Sequence, residues 1–289
     1  MERRVSYFSQ GARISAVLYA QDGPAPDRRP GVVLCHGFTG IKEWILPDYA
    51  RRFAAAGYVA LTFDYRGFGE SEGERGRLIP YEQVMDIRNS ITFMETVDDV
   101  DPQRIGLWGT SYGAANVIYT AGIDTRPRCV VAQVGFGDGG RSLSRRTPDQ
   151  VVAILGMIQN ERRQRVLTGK STMVDPLLVL NDPDSVAFFT QAMKDLPQLK
   201  TQITLESVEA TLEYRPEEVV DCIAPRALLL IAAEFDLPAP ADEFRSVYVK
   251  AGEPKKLVVM EGVRHYDIYS GQPFERSVQE ALDWYRQYL

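Results

Sequence analysis

The length, composition and charge of the chain exclude several classes of protein. Its 289 residues suit one α/β domain with an insertion, and 45% apolar with 25% charged residues indicates a folded globular protein, not a disordered one. The 33 lysines and arginines against 39 aspartates and glutamates give a formal charge of -6 without a long run of either sign, so we expect no nucleic-acid partner.

Short apolar and β-branched runs bounded by glycine or proline predict the strands of a central sheet. The first two, "RRVSYFSQ" and "RISAVLYA", are joined through Gln10 and Gly11 and predict an antiparallel hairpin at one edge. The later runs are apolar on both faces, which is typical of parallel strands covered on both sides. These runs are "GVVLCHG", "YVALTFD", "RIGLWG", "CVVAQVG", "RALLLIAAE" and "KLVVMEG".

Helical patterns separate several of these strands. They cover residues 46–56, 80–97, 112–121 and 275–288. Strands that alternate with helices predict the α/β class, with a mostly parallel central sheet flanked by helices. The proline-rich stretch "DGPAPDRRP" predicts a surface loop before the third strand.

The alternation of strands and helices stops after Phe136. Residues 137–216 contain amphipathic helical patterns and no convincing strand, which predicts a helical cap inserted into a core formed by residues 1–136 and 217–289. A cap over the functional site is the interpretation we favour, because ligands in open sheets bind beyond the carboxyl ends of the strands. A packing appendage or a dimer surface is the alternative.

One serine stands at a turn between a predicted strand and a predicted helix. In "IGLWGTSYGAANVIY" a strand ends, Ser111 follows between Gly109 and Gly113, and a helix begins. This is the setting of a G-x-S-x-G nucleophile elbow, a turn so tight that glycines are needed on either side of the serine. The alternative is a glycine turn with an incidental serine, but the strand–turn–helix context favours a nucleophile.

A serine nucleophile needs a base and an acid. The chain has two histidines, and His265 follows the last predicted strand in "LVVMEGVRHYDIY", where the base would be needed. Asp236, in a loop stiffened by two prolines, is our choice for the acid that orients it. Glu234 and Asp267 remain alternatives that would assist or replace it.

The negative oxygen of a tetrahedral intermediate needs donors already in place. We expect these to be the backbone N–H groups of Phe38, in "HGFTG", and of Tyr112, at the start of the helix after the serine. His36 would shape this loop and not act as a base. His36 and Trp44 are candidate substrate-binding residues, although aromatic residues near such loops are as often simple packing.

Taken together, these motifs resemble those of the α/β-hydrolase superfamily. "VVLCHGFTG", "FDYRGFGESEG", "GTSYG", "LLLIAAEFDLPAPA" and "VRHYDIY" occur in the family's order over nearly the whole chain. The stretch from Asp64 to Ser71 is similar to the "D-Y-R-G-x-G-x-S" of dienelactone-hydrolase-like and X-prolyl dipeptidyl-peptidase-like (S15-type) members, where Asp64 and Arg66 would brace loops near the site. Dienelactone hydrolases proper use a cysteine nucleophile, whereas this chain has Ser111.

The resemblance implies a serine hydrolase of the carboxylesterase kind that acts on a small to medium acyl substrate through an acyl-enzyme. The same residues would also serve cleavage of an amide or of a carbon–carbon bond next to a ketone. A ligand receptor on a hydrolase scaffold is the non-catalytic alternative, and it has no need for a serine, an acid and a histidine together.

We expect no metal, because no His, Cys or carboxylate set has metal-ligand spacing. We expect no cofactor either, because the stretch after "GFGDGG" lacks the apolar start of a dinucleotide-binding helix. The stretch "MERRVSYFSQ" lacks an apolar region behind its basic residues, and no run approaches membrane-spanning length, so we expect a cytoplasmic protein without a membrane contact. Three widely spaced cysteines predict reduced core thiols. A homodimer is compatible with the sequence and would form through the cap or the edge strands.

Overall fold

An eight-stranded sheet organises the chain. The structure is a computed structural model that describes residues 1–23 and 27–289; the predicted loop "DGPAPDRRP" therefore lies partly outside the described residues. The strands are β1 (Glu2–Ser9), β2 (Ala12–Tyr19), β3 (Arg29–Cys35), β4 (Val59–Phe63), β5 (Val100–Thr110), β6 (Cys129–Gln133), β9 (Ala227–Ala233) and β10 (Lys255–Met260).

The strand order is β1-β2-β4-β3-β5-β6-β9-β10. Strands β4 to β10 in this order are mutually parallel, whereas β2 runs antiparallel to both of its neighbours. The predicted edge hairpin is confirmed: Ser9 pairs with Ala12, and Gln10 and Gly11 have φ of 49° and 89°, the left-handed turn that matches the strand twist.

Helices cover both faces of the sheet, as expected where the strands are apolar on both sides. They are α1 (Leu46–Ala55), α2 (Pro80–Glu95), α3 (Tyr112–Ile123), α7 (Ala241–Lys250) and α8 (Gly271–Tyr288). Buried side chains divide into one cluster on each face: Ile87, Val117 and Phe244 belong to one, and Phe53 and Tyr285 to the other. This is the α/β-hydrolase fold.

The chain between β6 and β9 is largely helical. It forms α4 (Pro148–Thr168), α5 (Pro183–Asp195) and α6 (Leu205–Glu213), with two-residue strands β7 (Met173–Val174) and β8 (Ile203–Thr204) that pair with each other. These two short strands were not predicted, because two-residue segments leave no periodicity in the sequence. A carboxylate of the core, Glu243 on α7, is buried and accepts hydrogen bonds from the N–H groups of Gly137 and Asp138, which fixes the start of this segment to the core.

One further expectation needs correction. Cys35 and Cys129 are buried, but Cys222 is exposed, so the prediction of a core thiol is wrong for this residue. Cys222 belongs to a short 3-10 turn, Val220–Ile223, in which Val220 and Ile223 face the core instead. Within residues 1–23 and 27–289, no helix combines the length and the apolar character needed to cross a membrane.

Candidate active site

Ser111 occupies a sharp turn between β5 and α3. Its φ of 54° and ψ of -121° lie in a region that residues with a side chain rarely adopt. The flanking glycines are required by close approach: a Cβ on Gly109 would lie 2.3 Å from the carbonyl oxygen of Gly113, and one on Gly113 would lie 2.2 Å from that of Cys35. The turn holds the Ser111 side chain at the carboxyl end of the sheet.

His265 lies between Ser111 and an acid. Its Nδ1 is 2.7 Å from Oδ2 of Asp236, and its Nε2 is 3.2 Å from Oγ of Ser111. A carboxylate can only accept, so Nδ1 carries the proton and Nε2 presents its lone pair to the serine hydroxyl. His265 and Asp236 are both buried. The structure therefore brings together the three residues that the sequence predicted as a triad.

Asp236 is held in place by its own turn. Its Oδ1 accepts a hydrogen bond of 2.6 Å from the N–H of Ala239, which leaves Oδ2 for the imidazole. The two alternative acids point elsewhere. Glu234 accepts from the N–H of Gly262, and Asp267 accepts from the N–H of Arg264.

The loop that begins at His36 passes directly over Ser111. A Cβ on Gly37 would lie 2.9 Å from the Cβ of Ser111, so only glycine allows this approach. The backbone N–H groups of Phe38 and Tyr112 donate no hydrogen bond to any residue in the described part of the chain. Both groups, one in this loop and one in the first turn of α3, are therefore available to donate to an oxyanion.

His36 is buried beneath this loop and is neutral. Its Nδ1 donates to the carbonyl oxygen of Gly37 at 3.0 Å, and its ring packs edge-on against Tyr65. Burial lowers the pKa of His36 to about 4. A histidine with this pKa carries no charge near neutral pH, and its position fits the predicted role of shaping the loop.

Asp64 braces the other end of the same loop. Its carboxylate accepts from the backbone N–H and from the Nζ of Lys42, both at 2.7 Å, and Lys42 is fully buried. Arg66 pairs instead with Asp86 on α2. Asp64 therefore fixes the backbone of this loop at Lys42, whereas Asp86 holds both the backbone N–H and the side chain of Arg66. A role for Arg66 in bracing a loop at the site stays a prediction.

A small cavity adjoins Ser111. Its volume is about 30 Å³, room for about two water molecules on a scale where one takes ~10–15 Å³. The core contributes aromatic and aliphatic side chains, among them Phe38, Trp44 and Tyr269, and the helical segment contributes Leu180, Phe188 and Phe189. The candidate substrate-binding residues His36 and Trp44 both line it.

Sequence reasoning missed most of this lining. Tyr266 and Tyr269 follow His265 closely, and that proximity was a usable signal. Phe188 and Phe189 lie on α5, whose amphipathic pattern is equally typical of simple packing. Only the fold places that helix over the serine.

Tyr269 connects the histidine loop to the nucleophile turn. Its hydroxyl lies 2.8 Å from Oγ1 of Thr110, the residue before Ser111. We expect Tyr269→Phe to lower kcat for p-nitrophenyl butyrate by about threefold to fivefold, since one such hydrogen bond is worth about 1 kcal/mol. Thr110→Val should have a similar effect, and the double variant should lose no more than either single one. A rise in KM at unchanged kcat would instead mean that the Tyr269 ring only shapes the cavity.

Known proteins resemble this chain in sequence over most of its length. The family model described as serine aminopeptidase, S33, matches residues 26–268. The chain belongs to this family of α/β hydrolases. It is 36% identical to an uncharacterized 31.7 kDa protein of the traX-finO intergenic region of Escherichia coli, over 91% of this chain and 92% of that protein. It is 28% identical to the quorum-quenching protein AidA of Acinetobacter baumannii, over 97% and 93% of the two chains.

Solved structures agree with the fold. The α/β hydrolase GrgF from Penicillium sp. sh18 superposes with a TM-score of 0.84 at 23% identity, over 100% of this chain and 99% of that one. DcsB, solved in complex with its substrate analogue, superposes with a TM-score of 0.88 at 20% identity, over 100% and 99%. The α/β-hydrolase prediction is confirmed. The narrower likeness to dienelactone-hydrolase-like and S15-type members stays a prediction.

Proposed function

We propose that this α/β hydrolase is a serine hydrolase that cleaves a carboxylic ester or a related acyl bond of a small to medium substrate. The observation that carries the proposal is the unbroken chain of hydrogen bonds from Asp236 through His265 to Ser111. Each partner has the orientation that nucleophilic acyl transfer needs. A receptor on the same scaffold would have no use for it.

The reaction begins with attack of the Ser111 oxygen on the substrate carbonyl, while His265 takes the hydroxyl proton at Nε2. Asp236 stabilises the resulting imidazolium. The N–H groups of Phe38 and Tyr112 bind the carbonyl oxygen as it becomes negative. His265 then gives its proton to the departing alcohol oxygen, which leaves the acyl group on Ser111.

Hydrolysis of the acyl-enzyme repeats these steps with water. His265 removes a proton from water as its oxygen attacks the acyl carbon, and the proton returns to the Ser111 oxygen when the acid departs. A thioester would follow the same course. One relative, from Eupenicillium brefeldianum, is named a thiohydrolase, which supports including thioesters among the substrates to be tested.

The direct test is labelling with a fluorophosphonate probe, which phosphonylates an activated serine and is read by intact mass. We expect one adduct on the parent protein, lost in Ser111→Ala and in His265→Ala, because the first lacks the nucleophile and the second lacks its base. Circular dichroism should show that both variants fold. A panel of esters, thioesters and amides then separates the bond types that this triad serves. A folded parent without an adduct would contradict the proposal.

A further inference from the structure

The cavity beside Ser111 also constrains the substrate. We propose that it receives a short, uncharged, apolar acyl group and that Phe188 limits the length of that group. This inference rests on the proposed function. It names the acyl part because the small cavity has room for one substituent of the carbonyl at most. The acyl group occupies the site in every step, whereas the alcohol departs after the first.

The charge of the cavity lining indicates that the acyl group is uncharged. Among the described residues that line the cavity there is no aspartate, glutamate, lysine or arginine, and His36 is neutral. The nearby carboxylates already have partners: Asp236 binds His265, and Asp184 at the start of α5 pairs with Arg264. Asp182 accepts from the backbone N–H and the hydroxyl of Ser185. A buried ammonium without a carboxylate partner is strongly disfavoured.

This lining does not suit an aminopeptidase substrate, although the matching family is described by that activity. The acyl part of such a substrate carries a free α-ammonium group, which would have to enter the cavity. Removal of an aliphatic group of the same size from water is favourable, and the group gains the contacts of the aromatic walls. The cavity therefore favours an uncharged acyl group over a charged one of the same size.

The position of Phe188 indicates that this residue limits the length of the acyl group. On one wall of the cavity, its ring packs against Trp44, which follows the loop at His36, with ring centroids 5.2 Å apart. On the other wall, it stacks on Tyr266, next to His265, with ring centroids 4.2 Å apart. Tyr269 lies 6.0 Å from the same ring. Phe188 thus joins the two walls of the cavity and closes the space between them.

Helix α5 holds this ring in place through polar contacts with the core. The hydroxyl groups of Ser185 and Tyr266 lie 2.7 Å apart, and Arg264 is 3.4 Å from Asp184. Burial raises the pKa of Tyr266, so its hydroxyl stays protonated and available for this bond. With α5 seated in this way, an acyl chain of more than a few carbons meets the Phe188 ring.

The charge test compares two esters of the same shape. Alanine methyl ester and methyl isobutyrate differ by an ammonium in place of a methyl group, and both are followed by acid release at pH 6.5, where the amine is mostly charged. We expect kcat/KM for the isobutyrate to be at least a hundredfold higher after subtraction of the uncatalysed rates. Equal rates, or a faster alanine ester, would overturn the charge argument.

The length test uses p-nitrophenyl acetate, butyrate and octanoate with Phe188→Ala, Phe188→Leu and the control Val186→Ala. Val186 is exposed on the same helix and does not line the cavity. For the parent and the control, we expect kcat/KM to be at least tenfold higher for the acetate and butyrate esters than for the octanoate ester. Phe188→Ala should raise the ratio of kcat/KM for octanoate to that for acetate by tenfold or more, because each newly buried methylene contributes about fourfold. Phe188→Leu should give a ratio between those of the parent and Phe188→Ala.

The outcomes separate this inference from the proposed function. If the parent forms no fluorophosphonate adduct and cleaves no ester, both the proposed function and the inference about Phe188 are overturned. A parent that is labelled at Ser111 but whose chain-length profile is unchanged in both folded Phe188 variants keeps the proposed function and overturns the role of Phe188.

Discussion

Replacement of Ser111 by alanine should lower kcat for p-nitrophenyl butyrate by about ten-thousandfold or more. The Ser111 oxygen is the atom that faces the lone pair of His265 at 3.2 Å, and alanine removes it without adding bulk to a crowded turn. The loss corresponds to about 5.5 kcal/mol of transition-state stabilisation. Binding in the cavity and the two backbone donors remain, so a small residual rate above the buffer is expected.

The matched control for this variant is Ser270→Ala. Ser270 precedes α8, its side chain makes no capping hydrogen bond, and it does not line the cavity. Its replacement should leave kcat and KM within twofold of the parent. Retention of more than one hundredth of the parent rate by folded Ser111→Ala would place the nucleophile elsewhere.

The strand–turn–helix context of Ser111 was predictable because it depends on local sterics. Two backbone segments approach Gly109 and Gly113 to within 2.3 Å of where a Cβ would stand, and such demands leave glycines at fixed spacing in the sequence. The order of serine, acid and histidine was also readable, because each follows a predicted strand and parallel strands end at one edge of the sheet.

Side-chain direction was not readable in the same way. Glu234 and Asp236 are two residues apart after the same strand, and spacing alone could not decide which one faces His265. The structure decides it, because Nδ1 of His265 faces Oδ2 of Asp236, and the N–H of Ala239 holds the other carboxylate oxygen. The lining of the cavity by α5 depends on tertiary packing and left no local pattern.

Helix α7 was missed although the sequence contains a signal for it. Asp242 and Glu243 lie in its first turn and Lys250 lies in its last, the charge order that a helix dipole favours. Phe244 and Val247 are buried one turn apart. Pro240 immediately precedes the helix, so the proline-rich acid loop ends where α7 begins.

Replacement of Asp236 by asparagine tests the assignment of the acid and should lower kcat by about ten-thousandfold. The amide has one oxygen in place of two. If that oxygen keeps the bond to the N–H of Ala239, the NH₂ group faces Nδ1 of His265 and donates to it. The imidazole must then carry its proton on Nε2, where it points at the Ser111 hydroxyl and cannot act as a base.

The alternative acids supply the comparison. Glu234→Gln and Asp267→Asn remove one charge each, as Asp236→Asn does, but both side chains bond to backbone N–H groups away from the imidazole. We expect each of them to keep kcat within threefold of the parent. Because all three substitutions are nearly isosteric and lose the same charge, a loss confined to Asp236→Asn reports on the imidazole proton and not on the local field. A comparable loss in Asp267→Asn would move the orienting role to that residue.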